Sequence, residues 1–115
     1  MDNIYHICKR EAWDEARRMK RYQADSLKSE GFIHSSKFDQ VLRVAEAFYR
    51  GQKDLVILRI DQAKLKAEVR WEAGSDKPDE LFPHIYGSIN LEAVIKVWDF
   101  RENPDGHFDL PPLRD

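Results

Sequence analysis

Beyond Gly51 the hydrophobic pattern of the chain changes period, and no helical stretch separates the extended segments of the second half. Leu55 to Ile60 is apolar except for Arg59, the pattern of a central strand covered on both faces. Glu68 to Glu72 alternates, with Glu68, Arg70 and Glu72 on one face and Val69 and Trp71 on the other. Ala73 to Asp79 carries Gly, Ser, Asp and Pro and reads as a turn or loop. Leu81 to Ile89, with Phe82, Ile85, Tyr86 and Ile89, reads as extended. Ala93 to Phe100 is strongly β-prone through Val94, Ile95, Val97 and Trp98. Successive parallel strands need a long crossover, usually a helix. Strands that follow one another without helices therefore argue against a doubly wound parallel sheet.

The first half alternates strand and helix. Asn3 to Cys8, with Ile4, Tyr5 and Ile7, is a short strand. Lys9 to Lys20 is a helix whose Ala12, Trp13, Ala16 and Met19 share one face. Arg17, Arg18, Lys20 and Arg21 suit the negative end of its dipole. Tyr22 to Glu30 is polar and reads as loop, and Gly31 to Ser36 as a strand leading into a second helix. That helix carries Phe38, Val41, Leu42, Ala45, Phe48 and Tyr49 at helical spacing. Ser36 is placed as its N-cap, Asp39 as a capping-box partner and Gly51 as the C′ glycine. The order implies an α+β fold, two helices packed on a mixed, split β-sheet.

The 115 residues allow one domain, with 101–115 a loop-rich tail holding three of the five prolines and a short strand at His107 to Leu110. The longest unbroken apolar run is four residues, Leu55 to Leu58, against about 20 for a spanning helix, so no membrane partner is expected. The opening Met-Asp-Asn-Ile lacks the basic and apolar regions of a secretory signal. Cys8 is the single cysteine, which excludes an internal disulfide or an all-cysteine zinc site and suits the cytoplasm. It reads as a small apolar filler. A net charge of −2 gives no reason to expect DNA binding.

No phosphate loop, dinucleotide fingerprint, zinc-protease motif, EF-hand or nucleophile elbow is present. Chemistry must come from scattered residues. His6, His34 and His84 each fall in an apolar or aromatic stretch. Each has two readings, a core histidine bonded to a backbone carbonyl or a group of a shared acid–base site. His34 and Ser36 are two apart, as are His84 and Tyr86, so each pair presents an imidazole and a hydroxyl on one surface. The stripe Glu68, Arg70 and Glu72 is either a solvated strand face or a source of a carboxylate for a cleft. Arg59 needs a partner if it is buried. His107 has no assigned role, and no metal site is expected because acidic or Cys ligands at metal spacing are missing.

Ile4-Tyr5-His6-Ile7, Gly31-Phe32-Ile33-His34-x-Ser36, Val69-Arg70-Trp71-Glu72 and Phe82-Pro83-His84-Ile85-Tyr86-Gly87 together resemble one family, the domain of unknown function 952 (DUF952). The resemblance covers roughly Asn3 to Phe100. Ser35 stands where the family pattern commonly has Cys, which argues against a thiol nucleophile there. The resemblance implies a distant relationship to the ADP-ribosyltransferases and a central cleft for NAD between two small sheets. His6 would then contact a ribose hydroxyl, and Ser36 with the following helix N-terminus would receive phosphate. His34, His84 and Tyr86 would approach the reacting centre. The third, often acidic, position of that site falls on His84-Ile85-Tyr86, which is not acidic. The implied ligand is NAD, ADP-ribose or a related nucleotide, with ADP-ribosyl transfer or a 2′-phosphotransferase-like phosphate transfer as the possible reaction. The alternative is a non-enzymatic ligand-sensing or protein-interaction module on the same fold.

Overall fold

The computed structural model describes residues 3–74 and 77–113. Its centre is β4 (Leu55–Asp61), which lies between β1 (Asn3–Lys9) and β8 (Val94–Phe100) in an antiparallel three-stranded sheet. Leu55 to Leu58 and Ile60 are at most 1% exposed, so β4 is covered on both faces as its composition requires. Side chains alternate across it. Ile4, Cys8, Val56, Leu58 and Ile60 enter one core with Ala16 of α1 (Arg10–Met19). Tyr5, Ile7, Leu55 and Ile57 enter a second core with Val41 and Ala45 of α3 (Val41–Phe48).

A second antiparallel sheet has the order β3 (Ile33–His34), β6 (Leu81–Tyr86), β5 (Glu68–Ala73). Ile33 and Ile85 turn its inner face into the first core. A ribbon of β2 (Arg21–Tyr22) and β7 (Ile89–Asn90) closes one side. The two larger sheets meet where Tyr5 and Ser36 exchange N–H···O bonds of 2.8 Å in both directions. The fold is therefore α+β with a split sheet, as expected. All the strand pairings among the described residues are antiparallel, so the sheet is not mixed.

Three local expectations change. A short helix α2 (Asp25–Ser29) occupies the segment read as loop; at five residues it is too short to display a helical period. Helix α3 begins at Val41, and Ser36 is not its cap, because both backbone groups of Ser36 are held by Tyr5. The fully buried Gln40 precedes the helix instead, its side chain accepting from Lys37 N (2.9 Å) and donating to Glu80 (2.8 Å) and the Leu81 carbonyl (2.9 Å). Arg43 and Gln40 together pull the Glu80 carboxyl down to about 2. Of the apolar stripe of α3, Leu42 and Phe48 remain exposed.

The tail is loop-rich, yet it belongs to the second core. Phe108 stacks on Phe100 with ring centroids 4.7 Å apart, and Leu113 is buried. Glu46 accepts from the backbone N–H of Phe108 (2.9 Å), and the Leu113 carbonyl accepts from Tyr5 (3.0 Å) and Arg59 (3.2 Å). The strand expected at His107 to Leu110 reduces to a single bridge between Glu102 and Phe108. Among the described residues no helix is long and apolar enough to cross a membrane.

Candidate functional site

The register of the second sheet gathers residues that lie far apart in sequence. His34 is opposite His84, and His84 is opposite Arg70 on its other side. Tyr86 is opposite Glu68, and Phe82 is opposite Glu72. Since paired residues of antiparallel strands share a face, the charged stripe of β5 and the alternate residues Phe82, His84 and Tyr86 of β6 lie on the same side. Ile85 is left for the core.

The rings on this face are in contact. The imidazoles of His34 and His84 meet edge to face with centroids 5.4 Å apart. Phe32 stacks on His84 at 4.0 Å and meets the edge of His34 at 4.9 Å. Each imidazole has its own carboxylate. Glu72 Oε1 accepts from Nδ1 of His84 (2.8 Å) and from the Tyr86 hydroxyl (2.5 Å). Both oxygens of Glu30 accept from Nε2 of His34 at 3.2 Å. The two donors hold the Glu72 carboxyl below the usual range, Tyr86 contributing more than His84. In return the carboxylate raises the Tyr86 phenol. Arg70, paired with Glu68, lies over the Tyr86 ring at 4.4 Å.

A carboxylate on one ring nitrogen places the proton there and leaves the lone pair on the other. His84 therefore presents Nε2 and His34 presents Nδ1, and neither of these nitrogens has a hydrogen-bond partner among the described residues. His34 and His84 line a cleft of about 520 Å³. Phe32, Ser36 and Phe82 also border it, and Val44, Phe48 and Tyr49 of the α3 segment form the facing wall. Gly74 allows the close approach of Phe82, whose ring would lie 2.7 Å from a Cβ there.

The expected residues divide accordingly. The structure brings His34, His84 and Ser36 to the cleft and holds Tyr86 beside it through Glu72. His6 is not among the residues lining it. Its Nδ1 lies 2.5 Å from the His34 carbonyl, which can only accept, so Nδ1 carries the proton and Nε2 accepts from the Tyr22 hydroxyl at 2.8 Å. Burial lowers the His6 imidazole to about 4, so it is a neutral strut between the sheets. Ser36 lines the cleft, but α3 starts five residues further on, so no helix N-terminus follows it directly. Ser35 donates its hydroxyl to the Pro83 carbonyl (2.5 Å). Burial pushes the Cys8 thiol up to about 12, which leaves it unreactive.

Glu30 and Phe32 are site residues to which the sequence pattern assigns no role, and Glu72 is the member of the charged stripe that supplies the carboxylate. The alternation of β5 puts Glu72 on a charged face, but the partner of that face depends on register. Glu30 stands four residues before His34 in a segment that reads as loop. Among the described residues no group of three or more His, Cys, Asp or Glu could hold a metal ion.

The chain matches the family model described as "Protein of unknown function (DUF952)" over residues 7–97, and it belongs to that family. It is similar to the crystal structure of protein CC0527 from Caulobacter crescentus, with 31% identity, 94% of each chain covered and a TM-score of 0.84. A double-mutant form of CC0527 gives 30% identity over 94% of each chain and 0.83. The solution structure of CC0527 gives 31% identity, 93% of this chain and 91% of that one, and 0.79. Among curated proteins none matches.

Proposed function

We propose that the cleft binds a nucleotide-type small molecule of the NAD or ADP-ribose class and acts on it by acid–base chemistry, with His84 as the proton acceptor. The observation that carries this reading is the bond of Glu72 to Nδ1 of His84. It occupies one nitrogen of a ring that borders a cleft shared with a second carboxylate-bound imidazole, and leaves the other nitrogen without a partner among the described residues. Such a carboxylate fixes the tautomer and the direction of the ring. The cleft volume falls within the roughly 300–1,000 Å³ typical of ligand sites, and its aromatic walls suit a planar ring.

In this reading His34, His84 and Tyr86 surround the reacting centre, Ser36 belongs to the wall, and His6 acts at one remove by holding the His34 carbonyl. Two antiparallel sheets beside a cleft agree with an ADP-ribosyltransferase-like fold. The carboxylate absent from His84-Ile85-Tyr86 comes from the neighbouring strand as Glu72. The transfer balances simply. An acceptor hydroxyl gives its proton to Nε2 of His84 as its oxygen bonds to the ribose C1′, and the bond from C1′ to the nicotinamide nitrogen breaks with its electrons on nicotinamide. Phosphate transfer has less support, because no Lys or Arg is among the described lining residues.

The test is titration of the protein with NAD and ADP-ribose, followed by amide shifts, with nicotinamide release measured in parallel. Shifts confined to residues around His34, His84 and Phe48, lost in His84→Ala, are expected. Binding without nicotinamide release would leave the ligand-sensing module as the function. No shift with either compound would end the nucleotide reading.

A further inference from the structure

Strand β5 is an edge of the second sheet, paired with β6 on one side only. In antiparallel pairing, residues opposite each other exchange both backbone bonds or neither, and the two cases alternate along the strand. The Pro83 carbonyl accepts from Ser35, which directly follows β3, so Pro83 turns its backbone toward β3. Trp71, opposite Pro83, therefore turns its own N–H and C=O away from β6. Gly74 donates to the Glu80 carbonyl (3.1 Å), which continues the same alternation. Glu68, Arg70 and Glu72 thus bond to β6, while the backbone groups of Val69, Trp71 and Ala73 face outward. Among the described residues no turn, loop or side chain hydrogen-bonds these outward groups. Such a row of free groups is a template for another strand.

The charge order of β5 is complementary to itself. In two antiparallel copies, outward residues must oppose outward residues. Centring the pair on Trp71 sets Arg70 against Glu72 twice and Val69 against Ala73 twice. Moving one step either way sets Arg70 against Arg70 or Glu72 against Glu72, and like charges directly opposite are destabilising. Registers centred on Val69 or Ala73 run out of the strand at one end. In β8, the other long edge, Lys96 and Asp99 lie on opposite faces, so self-pairing cannot set them against each other. The atoms for the cross-pair are present in β5. His84 and Tyr86 both bond Oε1 of Glu72, and Glu68 takes Nε and Nη2 of Arg70. Glu72 Oε2 and Arg70 Nη1 have no hydrogen-bond partner among the described residues. On the opposite face of the strand Trp71 and Leu81 are exposed, at 40% and 53%, beside the free edge.

We propose that a second copy of this chain pairs antiparallel along β5, on a two-fold axis at Trp71, so that Arg70 of each copy meets Glu72 of the other and the two three-stranded sheets join edge to edge. The tryptophans then meet across the axis on the other face, where aromatic cross-strand pairs add stability. The contact brings a guanidinium from one copy to the carboxylate that holds His84 and Tyr86 in the other, so the pairing borders the cleft. It does not depend on what the cleft binds.

Sedimentation equilibrium of the full chain, at concentrations up to about 1 mM, tests the pairing. The mass should rise from that of one chain toward twice that value. Trp71→Lys changes an exposed side chain outside both cores, so the fold survives, and it places two cations on the axis. It should weaken the dimer by about tenfold or more. Arg70→Glu alone sets like charges opposite each other, as does Glu72→Arg alone, and each should weaken self-association similarly. An equal mixture of these two variants restores both opposite-charge pairs and should associate about tenfold or more tightly than either variant by itself. A single-chain mass at every concentration overturns the proposal and leaves the edge to a strand of another protein. A dimer unaffected by Trp71→Lys places the interface elsewhere and overturns it too. A mixture that associates no better than its components rejects the register, whether through wrong pairing or a misfolded Glu72→Arg chain, unless Trp71→Lys and Arg70→Glu have each weakened the parent dimer.

Discussion

Nδ1 of the buried His6 lies 2.5 Å from the carbonyl oxygen of His34, so the exposed imidazole of the cleft hangs from a residue in the other sheet. One residue before His6, Tyr5 exchanges two backbone bonds with Ser36, two residues beyond His34. The segment 34–36, which carries much of one cleft wall, is thus pinned to β1 by three hydrogen bonds. The cleft is shaped by the join between the sheets, and the histidine that resembles a ligand group in the sequence is part of that join.

His6→Ala should be destabilising. It opens a cavity and strands the Tyr22 hydroxyl and the His34 carbonyl, penalties that together amount to roughly 2–4 kcal/mol. A denaturant melt showing a loss under about 1 kcal/mol would contradict the strut.

The same residue predicts a pH dependence. Its folded imidazole titrates at about 4 against 6.5 for the free group, so between those values the unfolded chain binds the extra proton. The contribution is present above pH 6.5 and is lost as pH falls toward 4, by about 3 kcal/mol in all. Glu80, lowered to about 2, loses its contribution in a different window, from 4.5 downward. Stability measured between pH 7 and 4.5 should therefore fall, and in His6→Ala the slope there should flatten. An unchanged slope would assign the acid sensitivity elsewhere.

Glu72→Gln tests the carboxylate that serves both His84 and Tyr86. The neutral amide removes the charge that raises the phenol, so the Tyr86 hydroxyl should titrate at lower pH than in the parent protein. Ultraviolet titration of tyrosinate detects this directly. A phenol that titrates unchanged would mean that the Glu72 bond has no weight in solution.

The depth of β4 was legible because a run apolar on both faces has one stable place, the middle of a covered sheet. The family was legible because its motifs are separated and ordered. What the sequence concealed was register. Period-2 spacing placed His84 with Tyr86 and Glu68 with Glu72, but only the pairing of β5 with β6 brings Glu72 to His84. His6 misled for a related reason. A buried imidazole with both nitrogens satisfied and one that contacts a ligand occur in the same kind of apolar strand, and they differ only in what lies opposite. Ser36 looked like a cap because its type and spacing were right, while a cross-sheet pairing held its backbone elsewhere.

Ser36 and Gln40 can be separated by substitution. Ser36→Ala should change stability by less than the ~1 kcal/mol of a lost cap, because the backbone bonds to Tyr5 survive. Gln40→Ala removes three hydrogen bonds at a fully buried position and strands the Leu81 carbonyl and the Lys37 N–H, so it should cost roughly 2–4 kcal/mol. Paired thermal melts in which Ser36→Ala is the more damaging change would restore the capping assignment.

The final expectation concerns the tail, which composition marks as loop and packing marks as core. Phe108 is 3% exposed, stacks on Phe100 and donates its backbone N–H to Glu46 on α3. Its truncation removes a buried aromatic from the cluster that also contains Ile57, Val41 and Ala45, and such changes typically cost about 3–5 kcal/mol. In a domain of this size that is a large share of the total. His107→Ala should cost far less, because its ring is exposed and its bond to Glu46 lies at the surface. A tail that merely trails from the last strand would tolerate both substitutions equally. Chemical denaturation of the two variants distinguishes the cases, and a Phe108→Ala midpoint close to that of His107→Ala would remove the tail from the second core.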